Sequence, residues 1–156
     1  MGNLGGMAVA RSTVAELREF GAEVRFEVDG DAELGGGWAA LYCADRPNRG
    51  AAHLARRTGA PVFTVSYLDS DVGFVEAVTP AGAGWKALLN RDTAVGYEIP
   101  LDRYPVEPAL AGALAWAAAA GLTADAQEVR AALTGSEPFA EDLADRLLTA
   151  LGLPSA

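Results

Sequence analysis

Apolar and polar residues alternate with a period of two in several short stretches of the chain. Residues 23–28 read Glu-Val-Arg-Phe-Glu-Val, which predicts a half-buried strand, because successive side chains of a strand point to opposite faces. Residues 38–44 form a continuous apolar run, which is typical of a central strand. The acidic, glycine-rich residues 29–37 between them predict a loop.

A crossover and a meander are predicted in the next part of the chain. Residues 51–59 carry alanine and leucine at helical spacing, and residues 62–68 have the pattern of a strand. This order is typical of a βαβ crossover, so strands 38–44 and 62–68 should run parallel. Residues 72–79 and 84–89 continue the pattern of period two, and the short connections at residues 69–71 and 80–82 predict antiparallel hairpins. We therefore predict a mixed sheet of about five strands.

Helices are predicted at both ends of the chain. Thr13 and Glu16 have the spacing of a capping box, which predicts a helix over residues 14–20 that ends at Gly21. Apolar residues recur at helical spacing over residues 106–152, which predicts a C-terminal helical cap on the sheet.

These patterns predict one α+β domain over residues 1–156. Residues 11–98 would form its sheet-containing part, and residues 106–152 its helical cap. The glycine-rich residues 1–10 would be frayed.

Composition and charge favour a folded protein that avoids nucleic acid and membranes. The 156 residues are 51% apolar, which is enough to fill one core. A formal charge of -9 disfavours general binding to phosphate backbones and anionic lipid. Residues 109–122 form the longest apolar stretch, which is shorter than the roughly 20 residues that cross a bilayer. Residues 1–10 lack the pattern of a signal peptide.

The cysteine and histidine content argues against catalysis and metal binding. Cys43 is the single cysteine and His53 the single histidine, so a structural zinc site lacks its usual ligands. We expect no metal and no cofactor. A lone cysteine excludes an internal disulfide and favours a reducing, cytoplasmic location. Cys43 and His53 could form a nucleophilic pair, but a cysteine in an apolar strand is more often a small core residue. We predict no catalytic residue.

Basic side chains are concentrated after the predicted strand 38–44. This basic window consists of Arg46, Arg49, His53, Arg56 and Arg57. Arginines beside a helix N-terminus can bind a small anion or an acidic partner. The alternative is that these residues form a solvated helix face whose arginines pair with carboxylates such as Asp45, which is the more common role of charged surface residues. Lys86 is the only lysine, and the preference for arginine and alanine suggests a bacterial gene of high GC content.

Acidic side chains are candidates for binding a partner protein. The candidates are Glu27, Asp29, Asp31, Glu33, Asp69 and Asp71. Acidic surface keeps a small protein soluble, and it can also steer the protein onto a basic partner. Trp85, Tyr97 and Tyr104 could be aromatic anchors of such an interface or parts of the core.

Three functional hypotheses follow. The leading one is a non-enzymatic acidic protein-binding module, such as an immunity or antitoxin-type protein that neutralises a basic bacterial effector. The first alternative is a small enzyme or ligand-binding domain that recognises a small anionic ligand near Arg46 and Arg49, in a pocket between sheet and cap. The second alternative is a homodimeric accessory subunit joined through an edge of the sheet.

Overall fold

The computed structural model describes residues 2–154, which form one sheet with helices on both faces. The strands are β1 (Gly6–Arg11), β2 (Val28–Gly35), β3 (Trp38–Cys43), β4 (Val62–Leu68), β5 (Val72–Val78) and β6 (Gly84–Leu89). The α-helices are α1 (Val14–Glu23), α2 (Ala51–Thr58), α3 (Arg91–Gly96), α4 (Val106–Ala119), α5 (Ala126–Thr134) and α6 (Ala140–Ala150). Two 3₁₀ helices, Pro47–Gly50 and Leu101–Arg103, lie in the connections.

The strand order is β2-β3-β1-β4-β5-β6, and every pair of neighbours is antiparallel. The predicted α+β class is confirmed, but the sheet has six strands instead of about five and is antiparallel instead of mixed. Strands β3 and β4 do run in the same direction, because both are antiparallel to β1. They are not neighbours, since β1 lies between them. Strand β3, helix α2 and strand β4 therefore form a split βαβ motif, with β1 inserted between its two strands.

Strand β1 corrects the prediction that residues 1–10 are frayed. It lies in the centre of the sheet, paired with β3 on one side and β4 on the other. Read from the sequence alone, the glycines at the start of this strand suggest a flexible segment, but in the fold they are required because neighbouring strands pack too closely for a side chain. A Cβ atom at Gly5 would lie 2.0 Å from the carbonyl oxygen of Cys43, and one at Gly6 would lie 2.2 Å from that of Val65.

The prediction of a strand at residues 23–28 and a loop at residues 29–37 is wrong. Helix α1 begins after the predicted N-cap Thr13 but continues past Gly21 to Glu23. A turn follows, with Arg25 at φ 60°, and β2 occupies much of the predicted loop. The alternation at residues 23–28 does not come from a strand. It arises because the apolar side chains of the turn after α1 also pack into the core under α1 and α2.

The two faces of the sheet carry separate cores. Helices α1 and α2 cover one face with an alanine- and leucine-rich cluster. Helices α4 to α6 form the predicted cap on the other face, where Phe63 packs against Trp85 and Trp116 with ring centroids 6.3 and 6.4 Å apart. Within residues 2–154, no helix combines the length and the apolar character that a bilayer crossing needs.

Candidate protein-binding surface

In the basic window, Arg49 is occupied by contacts within the protein. Its guanidinium pairs with the carboxylate of Asp45 and donates hydrogen bonds to the carbonyl oxygens of Val24 and Arg25. It also lies 5.3 Å from the ring centroid of Phe26. These contacts join the 3₁₀ helix Pro47–Gly50 to the end of α1.

His53 and Arg57 converge on one carboxylate. The Nε2 atom of His53 and the Nε atom of Arg57 lie 2.8 and 2.9 Å from Oε1 of Glu23, at the end of α1. The hydrogen bond with Arg57, and to a smaller extent the one with His53, lowers the pKa of Glu23. Arg57 also covers the ring of Phe20 at 4.6 Å. Arg46 and Arg56 are exposed, as Arg49 and Arg57 also are. His53 and Arg57 thus hold α2 against α1.

The cavities and the thiol also bear on the enzyme hypothesis. Two cavities of about 460 Å³ lie between α4 and the β5–β6 turn and between α5 and α6. No residue of the basic window lines either cavity, and the basic side chain in the lining of the second one is Arg146 of α6. Burial raises the pKa of the Cys43 thiol to about 12, with a further contribution from Asp45. Across residues 2–154, no three histidine, cysteine, aspartate or glutamate side chains are grouped as metal ligands.

Strand β2 forms one edge of the sheet and carries the first group of predicted acidic candidates. Asp29, Asp31 and Glu33 are exposed along it, and Glu27 is exposed just before it. Asp31 pairs with Arg18 of α1. The register shifts at two places along β2. Irregular pairing and like charges on an edge strand disfavour self-association through that edge.

The turn between β4 and β5 carries the second group. Asp69 and Ser70 both have positive φ, 54° and 60°, as the two central residues of a type I′ turn do. With Asp71 they form a three-residue connection between the paired residues Leu68 and Val72. Ser70 is almost buried and exchanges hydrogen bonds with Asn3: its N–H donates to the Asn3 carbonyl, and its hydroxyl accepts from the Asn3 N–H. Its own carbonyl accepts from the N–H of Ala140, and its hydroxyl donates to Glu141.

Asn90 and Tyr97 attach the remaining segments to this turn. Asn90 is 1% exposed, and its amide donates to the carbonyl oxygens of Asp71 at 2.7 Å and Glu137 at 2.9 Å. The hydroxyl of Tyr97 donates to Oδ2 of Asp71, and this hydrogen bond raises the pKa of Tyr97. The N-terminal segment, α3 and the start of α6 therefore meet at one hairpin tip.

Large apolar side chains are exposed around this tip. Leu4 is 60% exposed, Tyr97 40% and Phe139 58%. Leu4 follows Asn3 and Phe139 precedes Ala140, two residues that bond directly to Ser70. We call the group the hairpin-tip surface; it consists of Leu4, Asp69, Asp71, Tyr97 and Phe139.

Further carboxylates lie on the first turns of α6, which begins beside the hairpin tip. Glu141 and Asp142 lie in the first turn of α6, and burial together with these two carboxylates raises the pKa of Asp145 one turn later. The nearby Arg91 turns its guanidinium toward the carbonyl oxygens of Tyr104 and Leu101. The surface therefore combines exposed apolar groups with net negative charge.

The sequence predicted only part of this surface. Asp69 and Asp71 were candidates by their charge, and Tyr97 by its aromatic ring. Leu4 lies in the segment predicted to be frayed. Phe139 matches the spacing of the apolar residues of α6, but it is the N-cap residue of this helix. It is exposed, whereas Leu143 one turn later is buried. Of the other aromatic candidates, Trp85 is buried, and Tyr104 packs on Phe74 with ring centroids 6.2 Å apart.

Comparisons with known proteins add no constraint on function. The chain matches no family model, no curated protein and no solved structure. A functional proposal must therefore come from the surface chemistry and the fold.

Proposed function

We propose that this protein is a non-enzymatic binding module whose hairpin-tip surface binds a basic partner protein. The observation that carries the proposal is the group of exposed apolar side chains Leu4, Tyr97 and Phe139 around the carboxylates of Asp69 and Asp71. Exposed aromatic groups within a polar rim are characteristic of protein interfaces.

Charge favours a basic partner. The chain carries a net charge of -9, and complementary charge accelerates association and excludes acidic competitors. A basic bacterial effector that is held inactive in the cytoplasm fits this chemistry, which corresponds to an immunity or antitoxin-type role. Binding should weaken as salt concentration rises, since exposed charges are screened.

The acidic edge strand extends the same surface. Val28, Cys43, Gly6 and Ser66 are successive partners across β2, β3, β1 and β4, so Glu27 lies at the same end of the sheet as the hairpin tip. Three strand spacings separate β2 from β4, or about 14 Å. A typical interface covers about 800 Å² on each partner and is roughly 30 Å across. One partner can therefore contact both the tip and the start of β2.

The decisive variant is Phe139→Ser. Serine is a preferred N-cap residue, so the change should preserve α6 while it removes the exposed ring. The immobilised chain is used to capture proteins from its native host, the captured protein is identified and purified, and its affinity is measured by calorimetry. We expect Phe139→Ser to weaken binding at least about tenfold, as loss of an interface hot spot does.

Charge is tested by a matched pair of single neutralisations. Asp69→Asn keeps a residue that tolerates positive φ, whereas Glu33→Gln removes one charge near the other end of β2. Asp69→Asn should weaken binding and reduce its salt dependence, and Glu33→Gln should have a smaller effect. Equal affinity of wild type, Phe139→Ser and Asp69→Asn for the partner would overturn the proposal, as would a host partner that is acidic.

A further inference from the structure

Helix α6 leaves part of the cap side of the sheet uncovered. It packs mainly on β4, β5 and β6, whereas β2 and β3 lie at the other edge of the sheet. The side chains of β2 on this side are small, since Gly30 lies opposite Tyr42 and Ala32 opposite Ala40. A cleft of about 310 Å³ therefore remains between the flank of α6 and strands β1 to β3.

This cleft has an apolar floor and a polar rim. The buried side chains in its lining are all apolar, namely Met7, Leu34, Leu148 and Leu153. The exposed side chains in its lining are Tyr42, Asp145 and Thr149. A site of this size with few polar groups suits a small molecule that has an apolar body and one polar head group.

The carboxylate of Asp145 at the rim has no cationic partner within residues 2–154. The neighbouring Arg146 reaches Glu137 instead, at 3.4 Å. Burial, together with the charges of Asp142 and Glu141, raises the pKa of Asp145. The rim therefore lies in a negative field, and a positively charged head group would relieve it.

We propose that this cleft binds a small aliphatic amine in its protonated form, with the apolar chain on the floor and the ammonium group at the carboxylate of Asp145. A hydrogen bond between an ammonium group and a carboxylate is among the stronger ones in proteins. Thr149 follows Asp145 by four residues on the same face of α6, so its hydroxyl offers a second acceptor. The face of an aromatic ring such as that of Tyr42 also attracts a cation. A carboxylate or phosphate ligand would meet like charge at the same rim.

The cleft is separate from the hairpin-tip surface. Phe139 precedes Thr149 by ten residues along α6, or about 15 Å of helix. Amine binding is measured on the chain alone, whereas binding at the hairpin tip requires the partner protein. Failure of one therefore leaves the other standing.

Three probes with the same six-carbon chain test the head group. Hexylammonium is positive at pH 7, as a lysine side chain is; 1-hexanol is neutral and hexanoate is negative. In ligand-observed NMR titrations of the full chain, hexylammonium should show saturable binding at least about fivefold tighter than 1-hexanol, as one charge-assisted hydrogen bond implies. Hexanoate should bind most weakly. Absence of saturable hexylammonium binding, or equal affinities for the amine and the alcohol, would overturn the proposal.

Methylammonium tests the apolar floor. It carries the same charge as hexylammonium but lacks the chain, so it should bind at least about tenfold more weakly. Equal binding of the two amines would mean that the acidic surface attracts cations without a site, which contradicts the assignment.

A matched pair of neutralisations tests the carboxylate. Asp142 and Asp145 are both exposed on α6, but Asp142 lies outside the lining of the cleft. Asp145→Asn should weaken hexylammonium binding at least about fivefold and leave 1-hexanol binding unchanged, because only the ammonium group uses the charge. Asp142→Asn should have a much smaller effect. Equal losses in the two variants would assign the attraction to the general charge of α6 and overturn the proposal.

A cleft-filling variant tests the position without changing charge. Thr149→Leu enlarges an exposed side chain in the wall and should weaken both hexylammonium and 1-hexanol at least about fivefold. Thr149→Ser keeps the hydroxyl and should bind like the wild type. Unchanged affinities in Thr149→Leu would place the ligand elsewhere. Phe139→Ser should leave amine binding unchanged, and a loss in that variant would move the amine to the hairpin tip and contradict the assignment.

Discussion

The basic window and the hairpin-tip surface are both clusters of charged side chains, but their contacts differ. In the basic window, Arg49 pairs with Asp45 and joins the 3₁₀ helix Pro47–Gly50 to the end of α1. His53 and Arg57 pair with Glu23 and hold α2 against α1. At the hairpin tip, the hydrogen bonds fix the backbone of several segments, and the apolar groups beside them stay exposed. A charged cluster whose members satisfy one another is structural, whereas exposed apolar groups beside unneutralised charge provide a surface for a partner.

The largest expected effect concerns Cys43, which is buried beneath the basic window. A thiol pKa of about 12 leaves little thiolate near neutrality, and the core excludes reagents. Alkylation of the native protein by iodoacetamide at pH 8 should be at least about 1,000-fold slower than in the unfolded chain. Mass spectrometry measures the rate. Rapid alkylation without denaturant would show that the window opens and does not seal the core.

The second prediction is that Asn90→Ala destabilises the protein by about 3 kcal/mol, because it leaves buried carbonyl groups of two segments without their donor. Urea unfolding measures the loss. Asn90→Gly is the control, since glycine accepts the φ of 66° without strain and should be about 1 kcal/mol more stable than the alanine variant. If both variants unfold like the wild type, Asn90 does not organise the hairpin tip.

The third prediction separates structure from binding. Arg49→Ala removes a side chain that contacts Asp45, Val24 and Arg25, and it should lower the free energy of unfolding by about 1 kcal/mol. Partner affinity should not change. Phe139→Ser should show the opposite pattern of normal stability and weak binding. Weak partner binding by a fully stable Arg49→Ala protein would transfer the binding role to the basic window.

The smallest expected effect is a pH dependence at Glu23. Its pKa is lower in the folded protein than in the unfolded chain, because Arg57 and His53 stabilise the carboxylate. The resulting stability is present above the ordinary glutamate pKa and is lost as pH falls through the folded value. Glu23→Gln should therefore be slightly less stable than the wild type at neutral pH and equally stable in acid. A difference that grows toward acidic pH would contradict this assignment.

The elements that were predicted correctly are those whose own sequence pattern is sufficient to specify them, without contacts from distant segments. The capping box at Thr13 begins α1, and the runs at residues 38–44 and 62–68 match β3 and β4 closely. Strand β1 escaped prediction because its glycines are explained only by the strands on both sides. Strand β2 escaped because acidic alternation on an edge resembles a loop. At the candidate surface, Asp69, Asp71 and Tyr97 were identified, whereas Leu4 and Phe139 depended on the packing of distant segments.

The sequence by itself determined the α+β class, the acidic balance, most strands and helices, and the lone buried thiol, because periodicity, caps and composition act within a few residues of each other. Only the tertiary structure decided the strand order, the pairing of the basic window with Asp45 and Glu23, and the assembly of the hairpin tip. The bond between Ser70 and Asn3 joins residues 67 positions apart. Such contacts depend on which segments the folded core brings together, and no local pattern records that.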